Sequence, residues 1–172
     1  MTRCRSGADQ ISGARSDDAG HLQARAVPTS AETGADTSKV YLDTPYASIR
    51  WDAQRQWVVA EWKGTGTNQE FRAAQELSLV AIHENNALRF LADTRNAAPV
   101  LGEDKRWLEQ QMVPRFMLSG VRWLATVLPA DQVARTTLAD VSKTPPSGKL
   151  RRADFVTLEE AKAWLSFVGT AD

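Results

Sequence analysis

At 172 residues the chain is long enough for one ordinary core and too short for two. Its 21 lysines and arginines balance 21 aspartates and glutamates, which leaves no basic excess to draw it onto nucleic acid or an anionic membrane. One cysteine, Cys4, allows neither an internal disulfide nor a cysteine-rich zinc site, and no apolar run approaches the roughly 20 residues of a membrane-spanning helix.

Residues 1–38 carry no aromatic side chain, few aliphatics and scattered charges of both signs. Such a segment cannot offset an ordering cost of about 1–2 kcal/mol per residue, so a disordered leader is expected there, with a single domain over 39–172. Asp9, Asp17 and Asp18 break the acid-poor pattern of a transit peptide, and the apolar centre of a secretory signal is missing, so the expected compartment is the cytoplasm. Translation starting downstream of this leader is the alternative. All six tryptophans fall between Trp51 and Trp164.

In "YASIRWD", Ala47, Ile49 and Trp51 alternate with Ser48, Arg50 and Asp52, which predicts a half-buried strand. "WVVAEW", Trp57 to Trp62, is its antiparallel partner across the turn "DAQRQ". Thr67 and Glu70 have capping-box spacing, and Phe71, Ala74, Leu77, Ala81 and Ile82 form the inner stripe of a first helix that Asn85 and Asn86 end. "LRFLAD" is a buried strand. Glu103 and Asp104 suit the first turn of a second helix with Leu108, Met112 and Phe116 inside, which Pro114 kinks or breaks. "VRWLATVL" is the most apolar strand and is expected at the centre of the sheet. Asp131 caps a short third helix ending near Val141, "SKTPPSG" is a loop, and "KLRRADFV" is an edge strand. Thr157 and Glu160 cap a last helix with Ala161, Trp164, Leu165 and Val168 inside. The order β-β-α-β-α-β-α-β-α predicts an α/β fold: a mixed, mostly parallel sheet of five strands, an N-terminal antiparallel hairpin and about four helices.

"YASIRWD", "VVAEWKG", "FLADTRN", "EDKRWLEQQMVPR", "SGVRWLATV" and "TLEEAKAWL", in this order, resemble the bacterial STAS/SEC14-like family over roughly residues 41 to 166. The resemblance implies the fold of anti-sigma-factor antagonists, a small mixed sheet with helices on one side, and no established enzymatic activity. In those antagonists the corresponding strand ends in Asp-Ser, and the serine is phosphorylated by a partner kinase. Asp93-Thr94 stands at that place here, without the Ser-Gly-Leu that follows in the family.

Asp93, Thr94, Arg95 and Asn96 lie where open α/β sheets place ligands, at the end of a parallel strand. The structural reading is an Asx turn at Asp93 and Asn96, with Arg95 paired to Glu103 or Asp104. The functional reading is a contact site with Thr94 as a phosphorylated switch, Arg95 as its charge partner and Trp107 as an anchor. "GTGTNQE" lacks the third glycine of a dinucleotide loop and any Gly-Lys-Ser/Thr, so no nucleotide cofactor is expected. His21 and His83 form no recognisable triad, the carboxylates Asp93 and Asp104 read better as a turn former and a helix-dipole acid, and neither catalysis nor a metal is expected. Trp107, Phe116, Met117 and Trp123 are candidate lining for an apolar pocket or, as the plain reading, core. Two functions follow: a non-enzymatic protein-interaction or signalling module, with an unidentified protein or a second copy as partner, and a carrier or sensor of a small apolar ligand or lipid.

Overall fold

The structure is a computed structural model in which residues 38–143 and 149–168 are described. The leader expected over residues 1–38 falls outside them except for Ser38, as do residues 144–148 of the "SKTPPSG" loop. One sheet has the order β1 (Ser38–Asp43), β2 (Ala47–Asp52), β3 (Trp57–Trp62), β4 (Arg89–Asp93), β5 (Trp123–Val127), β6 (Arg151–Phe155). The first three strands pair antiparallel and β3 to β6 pair parallel. The helices are α1 (Asn68–Asn85), α2 (Gly102–Trp107), a π-helical turn (Leu108–Met112), α3 (Val113–Met117), α4 (Gln132–Val141) and α5 (Leu158–Val168). None of those described is long and apolar enough to cross a membrane.

The α/β class, the antiparallel start and the parallel remainder agree with the sequence reading. The strand count does not: the described residues form six, because β1 precedes "ASIRWD". Its alternation is broken by a bulge, since Lys39 pairs with Trp51 but Leu42 pairs with Ile49, leaving Tyr41 unopposed. Lys39 and Tyr41 are tied to α1 by their bonds to Glu84 Oε2, at 2.5 and 2.7 Å. Nor is β5 central; β3 and β4 are, and β5 is flanked by β4 and the edge strand β6.

Period-two alternation divides the sheet into two faces. Ile49, Trp51, Val58, Ala60 and Phe90 meet Leu79 and Ile82 of α1 and Met112 of the π turn on the front. Trp57, Val59, Leu91, Ala125 and Val127 meet Ala161 and Leu165 of α5 on the back. The one-sided arrangement implied by the resemblance is thus corrected: α5 covers the face opposite α1, because the back of β4 and β5 is as apolar as the front.

Local chemistry sets the helix ends. Thr67 Oγ1 accepts from the Glu70 N–H at 3.3 Å, and Glu70 Oε2 accepts from the Thr67 N–H at 2.8 Å. Asn86 ends α1 in the left-handed conformation, φ 48°. The second predicted helix is broken into three pieces. Pro114 has no N–H for the carbonyl of Gln110 and its ring crowds that turn, so the preceding turn widens and the Val113 N–H reaches back five residues to Leu108.

The docking of α5 makes a direct prediction. Leu165, fully buried against β4 and β5, should cost about 2–5 kcal/mol on truncation to alanine, read by urea denaturation; a loss below about 1 kcal/mol would contradict this packing.

Candidate functional site

Register places three small residues side by side. Ala60 pairs with Ala92, and Ala92 pairs with Thr126. All three point to the front, and each is the fourth residue of its strand. The row before it, Val58, Phe90, Leu124 and Arg152, is bulky. The result is a trough across β3, β4 and β5 at the C-terminal end of the parallel strands, where connecting loops diverge.

Helices roof this trough without filling it. Leu108 and Met112 of the π turn and Val113, Phe116 and Met117 of α3 lie above a chamber of about 170 Å³ whose floor is Ala60, Ala92 and Thr126. Phe90 and Phe116 meet edge to face at 5.1 Å as one wall. A neighbouring chamber of about 140 Å³ opens at the strand ends among Gly64 to Gly66, Ala97 to Leu101 and α4. The two share Trp62, Gln75, Thr94, Leu108, Leu138 and Val141. Ala92 is only half-buried, although it sits on a central strand, because it faces this space.

Ion pairs clamp the roof to its neighbours. Arg72 Nε donates to Asp104 Oδ1 at 2.9 Å, Arg115 Nη2 to Glu76 Oε2 at 2.6 Å, and Lys105 Nζ to Asp140 Oδ2 at 3.0 Å. Hydrogen bonding from Arg115 holds Glu76 below the usual carboxylate range, and Lys143 and Lys105 do the same for Asp140. Solvent screens these pairs, so they orient the roof while burial of Met112 and its neighbours carries the energy.

The sequence-predicted residues separate. Asp93, 5 % exposed, faces the back and accepts from Arg95 Nε at 2.9 Å and Nη2 at 2.8 Å; this bond, ahead of Coulombic attraction to Asp93, Glu159 and Glu61, raises the guanidinium above its ordinary value. Arg95 pairs with Asp93, not with Glu103 or Asp104. Its own N–H donates to Asp93 Oδ1 at 3.3 Å, a turn-forming contact, and Asn96 is exposed. Thr94 faces the front, 7 % exposed, and its Oγ1 donates to the Val127 carbonyl at 2.5 Å, beside the Thr94 N–H at 3.1 Å.

Of the proposed lining, Phe116 and Met117 border the chamber under α3. Trp107 and Trp123 line neither chamber. Trp107 fastens α2 to α1, with Phe71 at 6.4 Å and the Arg72 guanidinium at 5.5 Å; Trp123 packs on the back with the α5 cluster. Alternation accounts for this: Leu124 and Thr126 take the front of β5, so Trp123 cannot. Ala60, Ala92, Thr126, Gln75 and Trp62 were missed. Their signal was the common fourth place in three strands, which carries meaning only once strand pairing is known.

Two other motifs have local roles. A side chain at Gly66 would place its Cβ 3.1 Å from the Tyr46 ring, so glycine there serves close packing, while Glu70 already occupies the α1 N-terminus. His83 is exposed in the last turn of α1. Among the described residues no three His, Cys, Asp or Glu side chains are placed to hold a metal ion.

Because the Thr94 hydroxyl is bonded inward, Thr94→Asp should press a carboxylate toward the Val127 carbonyl oxygen and cost about 1–3 kcal/mol or more, whereas Thr94→Ser should change stability by less than about 1 kcal/mol. Equal melting temperatures for wild type and Thr94→Asp would contradict the inward placement. No family model, curated protein or solved structure matches the chain.

Proposed function

We propose that the protein binds a small apolar ligand, as carrier or sensor, between the front of the sheet and the broken helix α2 to α3. The observation that carries this reading is the chamber over Ala60, Ala92 and Thr126, apolar on most of its wall and open toward the strand ends. Ligand sites of this kind are concave and mostly apolar, with a few placed polar groups. Its volume of about 170 Å³ sets the ligand size: an apolar cavity of about 150 Å³ takes up benzene. A single ring or a short chain fits, and a two-chain phospholipid does not. Within the SEC14-like resemblance, this favours ligand binding over lipid transfer on the scale of whole phospholipids.

The second reading, a protein-contact module of STAS-like type, draws support from Leu101 and Leu118, which are 60 % and 83 % exposed on either side of the broken helix. It has less support from the polar turn, where Thr94 is bonded inward and Asp93 is spent on Arg95.

Thermal unfolding with toluene as probe separates the two. At tenfold excess over its dissociation constant a bound ligand stabilises by about 1.4 kcal/mol, a rise of a few degrees in melting temperature for a domain of this size. No shift with toluene, indole or hexanol would overturn the ligand reading and leave the protein-contact module.

A further inference from the structure

Two polar groups of the chamber, Thr126 and Arg152, lie on its β5–β6 side. Thr126 is 5 % exposed, its side chain faces the chamber, and its hydroxyl has no hydrogen-bond partner among the described residues. The other buried threonines lining the chambers are bonded to backbone: Thr94 to the Val127 carbonyl and Thr137 to that of Ala134. The Thr126 hydroxyl is therefore open to the chamber and available to a ligand that can bond it.

Arg152 borders the same chamber one row back, opposite Leu124 on the edge strand. Its Nη2 donates to the Ser142 carbonyl at 2.9 Å, and among the described residues no carboxylate pairs with it. Most of its five N–H donors are therefore uncommitted beside an apolar space. Gln75, on the α1 side and lining both chambers, also has no hydrogen bond to its amide among the described residues. The opposite wall is Phe90, Phe116, Met112 and Met117.

Resting on the ligand-binding reading above, we infer that the ligand is a small amphiphilic monocarboxylate, its carboxylate held by Arg152 and Thr126 on the β5–β6 side and its apolar body against Phe90 and Phe116. A guanidinium offers a carboxylate parallel N–H donors, and an adjacent hydroxyl adds a third. A neutral hydrocarbon leaves both groups unbonded, and a cation meets Arg152 with like charge. An acid of one ring or a short chain satisfies the polar side and fills the rest.

Calorimetric titration of the full chain with phenylacetate, phenylacetamide and toluene tests this. Phenylacetate should bind at least about tenfold more tightly than phenylacetamide. Arg152→Met, which keeps an apolar stem, should abolish that preference, and Thr126→Val, near-isosteric and expected to fold normally, should weaken phenylacetate at least about threefold with little effect on toluene. Equal binding of all three probes would overturn the carboxylate inference while leaving the apolar-ligand reading intact. A preference for phenylacetate unaltered in both variants would overturn the assignment to Arg152 and Thr126. Binding of no probe would overturn the inference together with the reading on which it rests.

Discussion

Three small side chains in register across three parallel strands are the constraint on which the site depends. Ala60, Ala92 and Thr126 share one row of the front face, and the row before it rises to Phe90 and Leu124. A helix seated on the bulky row stands too high to fill the small one. Side chains on a sheet project a fixed distance from a backbone that cannot bend locally without losing its ladder, so the step between rows becomes a recess beneath the helices.

Pro114 completes the effect from above. A regular helix over the same span would present one unbroken stripe to the sheet. The proline forces a wider turn at Leu108–Met112, so Met112 descends into the core while Phe116 stands beside Phe90. The lining of the chamber forgoes the close packing that a filled core would give it. The ion pairs around the roof are screened by solvent and do little to offset that loss. What compensates is burial on both faces, including the separate cluster under α5. The gap lies at the open end of the parallel strands, where the proposed ligand would sit.

Much of the scaffold was legible because local signals were strong. Alternation in "ASIRWD" gave β2, the Thr67–Glu70 and Thr157–Glu160 spacings gave the starts of α1 and α5, and Asp131 gave α4. What escaped was non-local. The bulge at Tyr41 erased the alternation that marks β1. Which face Trp123 takes follows from what lies on either side of β5, and that is not written in β5. The row of small residues depends on the pairing of three strands separated by whole helices. The polar turn at Asp93 to Asn96 was visible as a turn, but nothing local showed that Thr94 and Asp93 point to opposite faces and spend their polar atoms on Val127 and Arg95.

The stability of Ala92→Leu tests most directly whether the trough is empty. Overfilling a close-packed core costs about 1–3 kcal/mol, whereas a leucine entering an empty trough gains buried apolar surface worth roughly 1–2 kcal/mol. Urea denaturation of the variant should show a midpoint equal to or above that of the wild type, with unchanged slope. A midpoint lower by the amount expected of overpacking would mean that the trough over Ala92 is already filled, and the site described here would not exist.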